Sequence, residues 1–190
     1  MFIELTDHLR CTEPHPEAFL VLLPDALEGR RVVSGVLGCP ICNREVRIEG
    51  GVAAFGAAPP VRSTSLTAEA VAALLGLDGP GGYVALLGAA GGLADALTAL
   101  MPGIRWVLVN PPAGGGESPW TSVLHADRLP IKERSMRGVV VSADHGDPAW
   151  VDAALGAVLP GNRAVVEAPV PVRAGAQVLA EAGGVSVVRV

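Results

Sequence analysis

The sequence predicts an α/β protein in which a mostly parallel sheet with helices on both faces follows a small β-rich module. Three observations lead to this prediction. Apolar strand-like segments alternate with helical segments from residue 65 to residue 190. A glycine-rich turn follows the first of those strands, at residues 88–92. Near the N-terminus, a C-x2-C pair is accompanied by a third cysteine and a histidine, which is typical of a module built around a metal.

The composition argues against some classes of function. The 190 residues have a net charge of −5, and Lys and Arg form no runs, which argues against a nucleic-acid partner. Hydrophobic residues make up 50% of the chain and charged residues 17%, against roughly 25% charged residues in an average domain. Either a well-filled sheet or a surface covered by a partner explains this balance, and composition alone favours the first.

No segment has the pattern of a transmembrane helix. The most apolar window, 83–101, contains Asp95 and a glycine cluster, which favours a strand, a turn and a helix. The first residues include acids and no basic stretch, so no signal peptide is predicted. We therefore expect a cytoplasmic chain with reduced cysteines.

Three cysteines and a histidine form a candidate zinc site. Cys39 and Cys42 make a C-x2-C knuckle, which lets two thiolates reach one metal from a tight turn, and Cys11 is a third ligand. The fourth ligand is His15 or His8, and a loop bounded by prolines favours His15. The alternatives are buried thiols or a redox pair. A redox pair normally opens a helix, whereas a strand pattern follows here, so zinc is favoured.

The N-terminal residues have the pattern of a compact β module. Predicted strands lie at 19–23 and 31–37, separated by Pro24 and Gly29, and a hairpin turn is predicted at 48–52. A module of about 55 residues has a thin core, so a bound metal would help it to fold.

Three short motifs link this module to a known family: LRC at 9–11, GCPIC at 38–42 and VRIEGGV at 46–52. With them, residues 3–56 resemble the zinc-ribbon domain of the small activator subunit of tRNA and rRNA methyltransferases. The family pattern has four cysteines, and His15 stands where the second would be. The resemblance implies a module that stabilises a methyltransferase and does not itself catalyse.

The sequence divides into a zinc-ribbon-like domain at 1–56, a linker at 57–64 and a Rossmann-like domain at 65–190. In the last domain, strands are predicted at 83–87, 104–109, 122–125, 138–142, 164–167 and 185–190. Helices are predicted at 67–75, with Ser65 or Thr67 as N-cap, and at 93–100, 149–158 and 174–182.

A glycine-rich loop at 87–93 stands between the first of these strands and its helix, where such a turn lets backbone approach a ligand. Alone it is weak evidence. Four further motifs follow in order: HADRLPI at 125–131, MRGVVV at 136–141, LGAVLPGNR at 155–163 and EAGG at 181–184. Together they resemble a class I S-adenosylmethionine-dependent methyltransferase.

The resemblance implies an S-adenosylmethionine site at Gly88, Ala90, Gly92, Asn110 and Asp127. Half of the residues with which the family contacts the cofactor are missing from this site. Leu86 stands at the acidic position of the glycine loop, and Ala90 replaces the middle glycine. Asn110 stands near the acid that binds the ribose, without its charge, whereas Asp127 matches the residue that contacts the adenine.

Three other features bear on activity. The Asn-Pro-Pro run at 110–112 is similar to the start of the Asn-Pro-Pro-Tyr box of amino methyltransferases, but it follows the second strand and is interpreted as a turn. Asp144 and His145 are either an acid–base pair or part of a polar loop that caps the helix at Asp147, and the second is favoured. The glycine-rich loop 113–119 replaces most of a helix, and the family's final antiparallel strand is expected to be absent.

Three functions fit these observations. The chain is a non-catalytic scaffold or accessory subunit of a larger protein assembly, such as an extrinsic subunit of a membrane complex. Alternatively, it is an active S-adenosylmethionine-dependent methyltransferase acting on a small molecule or a protein, or a regulatory binder of that cofactor. The missing contacts and the apolar composition favour the scaffold, whereas Gly88, Gly92 and Asp127 support the methyltransferase.

Overall fold

The computed structural model describes residues 1–114 and 118–190. In these residues one mixed sheet runs in the order β1-β2-β3-β4-β7-β6-β5-β8-β9-β11-β10. Its strands are β1 (Val21–Glu28), β2 (Arg31–Gly38), β3 (Glu45–Glu49), β4 (Val52–Ala54), β5 (Tyr83–Leu87), β6 (Arg105–Val109), β7 (Thr121–His125), β8 (Met136–Val141), β9 (Val158–Val166), β10 (Gln177–Ala182) and β11 (Val185–Arg189). The helices are α1 (Ala68–Leu75), α2 (Ala94–Leu100) and α3 (Pro148–Ala157), with 3-10 turns at Ile3–His8, Gly88–Leu93 and Ala143–His145.

The centre of the sheet is parallel. Strands β7, β6, β5, β8 and β9 pair in that order, each parallel to its neighbour. This is the 3-2-1-4-5 order of a doubly wound sheet, in which ligands bind at the carboxyl ends of the strands. Every residue of β5 is buried, as expected for a strand covered on both faces. The predicted mostly parallel central sheet is confirmed.

Helices cover both faces of this centre. Val71 of α1 and Leu97 of α2 pack with Leu86 on one face, whereas Val151 of α3 packs with Leu87 on the other. Of the two N-cap candidates for α1, the structure selects Thr67, whose hydroxyl accepts the N–H of Ala70 over 3.2 Å.

The N-terminal strands continue the same sheet. Strands β1 to β4 are antiparallel neighbours, and β4 pairs in parallel with β7, with Ala53 opposite Leu124. The N–H of Phe55 then donates to the carbonyl of His125 over 2.7 Å. Ile48 and Phe55 belong to the same apolar core as Leu124. The two halves of the chain are therefore joined by backbone hydrogen bonds and a shared core.

The C-terminal segment corrects two predictions. The helix predicted at 174–182 is wrong, because this segment contains β10, which pairs antiparallel with β11 through a turn at Gly183 and Gly184. Both glycines have positive φ, which a tight hairpin turn requires. Strand β11 in turn pairs antiparallel with β9. The final antiparallel strand that was expected to be absent is therefore present.

The first hairpin differs from the prediction in one respect. Strand β1 runs through Pro24, where the sequence predicted a break, and turns at Gly29. Proline is tolerated because β1 is the edge of the sheet, and a bulge follows it between Pro24 and Ala26. The hairpin turn predicted at 48–52 is confirmed by the pairing of Glu49 with Val52.

Residues 115–117 of the glycine-rich loop at 113–119 lie outside the described residues. Among the helices of the described chain, none is long and apolar enough to span a membrane.

Candidate functional site

The four predicted metal ligands come together. The ligand atoms of Cys11, His15, Cys39 and Cys42 all lie within 4.8 Å of one another. Two neighbouring pairs are closer: Cys11 Sγ lies 3.7 Å from Cys42 Sγ, and Cys39 Sγ lies 3.4 Å from His15 Nε2. Three thiols and an imidazole form a donor set that could hold a metal ion.

Local hydrogen bonds shape this cluster. The N–H of Cys39 donates to the carbonyl of Arg44 over 2.9 Å, and the N–H of Asn43 donates to the carbonyl of Cys39 over 3.0 Å. These bonds close the knuckle that brings the two thiols of the C-x2-C pair to one side. His15 Nδ1 lies 2.7 Å from the carbonyl of Pro16, so Nδ1 carries the proton and Nε2 is left for a metal.

The other histidine considered as a ligand lies elsewhere. The ring of His8 packs against Tyr83, with 4.9 Å between ring centroids. His8 does not belong to the cluster of candidate ligands, so His15 is the histidine that the fold brings to the cysteines.

Two of the thiols have different proton affinities. Burial raises the pKa of Cys39, but N–H donors from Cys42 and Ile41 outweigh it and lower the pKa to about 7. Burial raises the pKa of Cys11 to about 11. The thiolate is the form that binds a metal, and a bound cation would deprotonate Cys11 as well.

The glycine-rich loop after β5 is occupied by the protein's own side chains. Asp144 Oδ2 accepts the N–H of Ala89 over 3.2 Å, and Ser142 Oγ accepts the N–H of Ala90 over 3.3 Å. A side-chain carbon at Gly88 would overlap both the Asp144 carboxylate and the His145 imidazole. An internal carboxylate thus stands over the loop where a ligand would approach.

The side chains of Asp144 and His145, which cover the loop at Gly88, are called the plug below. A second set of hydrogen bonds connects Asn110 to it. Its Oδ1 accepts the N–H of Ala126 over 2.8 Å, and its Nδ2 donates to the carbonyl of Ala126 over 2.9 Å. Nδ2 also lies 2.9 Å from His145 Nε2. The backbone of Ala126 fixes the orientation of the amide, so Nδ2 donates to His145 and the imidazole proton lies on Nδ1. Asn110 is fully buried.

The charges of the plug follow from its surroundings. Burial raises the pKa of Asp144, but hydrogen bonds from Ser142 and from the N–H of Arg62 outweigh this effect, so the pKa lies below its ordinary value. Burial lowers the pKa of His145, and Asp144, 3.3 Å away, offsets part of that change. At neutral pH the pair is therefore a carboxylate beside a neutral imidazole.

The remaining predicted cofactor residues differ in their exposure to solvent. Ala90 is buried, whereas Gly92 and Asp127 are exposed. The Asp127 carboxylate lies against the backbone of Gly56, at the end of the N-terminal module.

The predicted helix cap is confirmed, because Asp147 Oδ1 accepts the N–H of Ala149 over 2.9 Å at the start of α3. The sequence left open the role of Asp144 and His145, and it did not identify them as a buried plug.

No protein-family model matches this chain, and no curated protein matches it. Matches occur among solved structures, and three of them each cover 52% of this chain. One belongs to a complex between the Haloferax volcanii Trm112 methyltransferase activator and a protein assigned as a methyltransferase, at 21% identity, a TM-score of 0.42 and 50% of that chain. Another is geranyl diphosphate C-methyltransferase from Streptomyces coelicolor A3(2), at 16% identity, a TM-score of 0.45 and 41% of that chain.

A third match is a protein from Anabaena variabilis assigned as a methyltransferase of an antibiotic biosynthesis pathway, at 19% identity, a TM-score of 0.43 and 43% of that chain. This chain spans half or less of the length of these structures. The strand order and the parallel pairing of β7, β6, β5, β8 and β9 define a doubly wound α/β fold whose mixed sheet has a parallel centre.

Proposed function

We propose that this protein is a non-catalytic scaffold or accessory subunit of a larger protein assembly, built on a methyltransferase-like fold that has lost its cofactor site. The observation that carries the proposal is the plug formed by Asp144 and His145 over the loop at Gly88. A cofactor that entered this space would have to displace both side chains. Fold alone does not determine function, so the proposal depends on this site.

The plug uses the contacts that a ligand would need. The N–H of Ala89 donates to the Asp144 carboxylate, which takes the place of an anionic ligand group at the loop. Asn110 has both donors of its amide engaged, one by Ala126 and one by His145. Breaking these contacts would leave buried polar groups unpaired at a cost of about 1–3 kcal/mol for each group. A weakly binding cofactor could not offset several such losses.

The linker adds a further barrier. The N–H of Arg62 donates to Asp144 Oδ2 over 3.2 Å, and the N–H of Ser65 donates to Glu167 Oε1 over 2.8 Å. These bonds hold the segment between β4 and α1 against the residues that follow β8 and β9. Carboxyl ends of parallel strands are where such sheets bind their ligands, so the linker covers part of the expected site.

We also propose that the cluster of Cys11, His15, Cys39 and Cys42 holds zinc in a structural role. Tetrahedral zinc with bonds of about 2.3 Å to sulfur and about 2.0 Å to nitrogen requires sulfur–sulfur distances of about 3.8 Å and sulfur–nitrogen distances of about 3.5 Å. The observed 3.7 Å and 3.4 Å are close to these values. Four protein ligands leave no open position for substrate, which is typical of a structural site.

Calorimetric titration with S-adenosylmethionine tests the loss of the cofactor site. We expect no binding in the micromolar range by the purified protein. Micromolar binding that is abolished in Asp127→Ala, but retained in the control Asp25→Ala on the edge strand, would contradict the proposal. It would support the alternative of an active methyltransferase, which the exposed Gly92 and Asp127 favour. A methyl-transfer assay would then separate that enzyme from a regulatory binder.

The partner is tested by purification of the tagged protein from its source cells. We expect a protein to co-purify in a fixed stoichiometric ratio and without nucleic acid. Extraction with and without detergent would separate a partner in a membrane complex from a soluble one. A chain that is recovered alone under gentle conditions would contradict the role of accessory subunit.

A further inference from the structure

The four ligands of the metal cluster come from two separate segments. Cys39 and Cys42 lie in the turn between β2 and β3. Cys11 and His15 lie in the loop between the 3-10 turn at Ile3–His8 and β1, which we call the ligand loop. This loop belongs to no helix or strand of the described chain, so its shape depends on side-chain contacts and on any bound metal.

Arg44 connects these two segments. It stands two positions after the C-x2-C pair, and its carbonyl accepts the N–H of Cys39 over 2.9 Å. Its Nη1 donates to Thr12 Oγ1 over 3.1 Å and to the Glu13 carboxylate. Both acceptors lie between the two cluster residues of the ligand loop. One side chain thus holds the loop with two of the ligands against the turn with the other two.

The same guanidinium reaches the junction between the two halves of the chain. Its Nη2 donates to the carbonyl of Phe55, and the N–H of Phe55 donates to the carbonyl of His125 over 2.7 Å, where β7 ends. A planar guanidinium has several donors in fixed directions, so it can bind all of these acceptors together. The Arg44 side chain is 30% exposed, so salt screens its pair with Glu13 less than it screens a pair on the open surface.

The contacts continue into the loop after β7. The Asp127 carboxylate lies against Gly56, the next residue along the chain from the junction. The backbone of Ala126 binds the side-chain amide of Asn110. A continuous series of contacts therefore leads from the metal cluster to the support of the plug. Such a series carries energetic coupling if one of its elements has two states, and the ligand loop has two, because a metal would fix it and metal loss would release it.

We propose that Arg44 is a positioning residue that couples metal binding to the junction between β4 and β7. A metal that fixes the ligand loop presents Thr12 and Glu13 to the guanidinium, and the guanidinium in turn holds the carbonyl of Phe55. Coupling of this kind is reciprocal, so an intact junction also tightens metal binding. The inference rests on the proposed metal site and is independent of whether the chain binds S-adenosylmethionine.

Zinc affinity, measured by competition with a chromophoric chelator, tests the effect of Arg44 on the metal. Arg44→Gln should weaken zinc binding by about 10- to 100-fold, as is typical when a group that orients metal ligands is lost. Arg47→Gln is the control and should leave the affinity unchanged, because that side chain is 81% exposed on β3. Glu13→Gln should weaken binding as well, and the double variant should bind zinc about as tightly as Arg44→Gln, because both changes remove one contact. Unchanged affinity in Arg44→Gln, or fully additive losses, would overturn the proposal.

Hydrogen exchange followed by NMR tests the effect of the metal on the junction, and a purely structural role of Arg44 would not change this readout. Removal of zinc from the wild type should lower the protection of the Phe55 N–H about tenfold more than that of the Leu86 N–H in the central strand β5. In Arg44→Gln, loaded at a high zinc concentration, the two amides should respond equally to zinc removal. A selective response of Phe55 that persists in this variant would overturn the role of Arg44.

Arg44→Lys keeps the test decisive even if Arg44→Gln fails to fold. Lysine keeps the charge but not the fixed set of donors, so this variant should bind zinc more weakly than the wild type and lose the selective response of Phe55. A lysine variant that matches the wild type in both measurements would overturn this inference alone. A wild-type protein that binds no zinc would overturn the proposed metal site and this inference with it.

Discussion

The side-chain amide of Asn110 and the imidazole of His145 lie 2.9 Å apart in the interior of the protein, where β6 ends. Both residues are buried, and the amide is also held twice by the backbone of Ala126. This contact joins the end of one parallel strand to the segment after another, across the space of the expected cofactor. Asn110 therefore has a structural role in this chain.

Asn110→Asp should destabilise the protein and should not create a cofactor site. The aspartate would lose both donated hydrogen bonds and place a charge beside the carbonyl of Ala126, at a cost of about 3–5 kcal/mol. Urea denaturation measures this loss as a change in the free energy of unfolding. The control Asn162→Asp, on the half-buried part of β9, should change it by about 0.5 kcal/mol or less. An Asn110→Asp protein as stable as the wild type would contradict the role assigned to this residue.

His145 should make stability depend on pH below neutrality. Its pKa in the folded protein is below the ordinary value because the ring is buried, whereas the unfolded chain takes up a proton near pH 6.5. The folded state thus binds fewer protons, so the stabilisation is present above about pH 6.5 and is lost as pH falls below it.

The stabilities of wild type and His145→Gln, measured by denaturation from pH 7.5 to pH 5, test this expectation. The advantage of the wild type should shrink on acidification, because only in the wild type does unfolding release a buried neutral imidazole that then takes up a proton. An advantage that stays constant or grows would show that His145 is not held neutral in the folded protein.

The metal cluster should bind one zinc ion per chain. Elemental analysis should find the metal in the wild type and its loss in Cys42→Ser and in His15→Ala, because each removes one of four ligands. His8→Ala is the matched control and should keep the metal, since His8 packs on Tyr83. Full zinc occupancy in His15→Ala would mean that another group is the fourth ligand.

Loss of the metal should lower the stability of the whole chain, including the half that does not bind it. All three tryptophans lie in the second half of the chain, at 106, 120 and 150, and the two halves share a core. Chelation should therefore lower the denaturant midpoint measured by tryptophan fluorescence, although the metal lies in the other half. If chelation leaves the denaturant midpoint of the fluorescence transition unchanged, the two halves of the chain unfold independently.

The junction between β4 and β7 should depend on Phe55. This side chain is 1% exposed, and Phe55→Ala should lower the free energy of unfolding by about 3–5 kcal/mol because it leaves a cavity in the shared core. Phe19→Ala is the control, since Phe19 is 65% exposed beside the edge strand. A comparable loss in both variants would argue against a shared core at this junction.

The sequence predicted the parallel strands well because their signal is local. Strand β5 is a continuous apolar run between two glycines, and β6 and β8 end in the apolar runs 106–109 and 139–141, which is typical of strands buried on both faces. The ligand set of the metal cluster was also predicted, since the knuckle spacing and a proline-bounded histidine are visible in the chain. His15 and Cys39 are 24 positions apart, yet their chemistry marks them as a pair.

The errors arose where distant contacts decide the structure. The alanine-rich segment before Gly183 favours a helix by propensity, but pairing with β11 makes it a strand. The plug was not recognised because Asp144 meets Ala89 across 55 positions, and no local pattern indicates that contact. The one available signal was the position of Asp144 and His145 directly after a buried strand, where polar side chains face the glycine-rich loop.

A crystal structure grown with millimolar S-adenosylmethionine would decide whether the plug excludes the cofactor. We expect density for the Asp144 carboxylate on the N–H of Ala89 and for His145 in contact with Asn110, with no nucleoside over residues 88–92. A nucleoside bound there, with Asp144 and His145 displaced, would show that the chain has kept its cofactor site and would contradict the proposed loss.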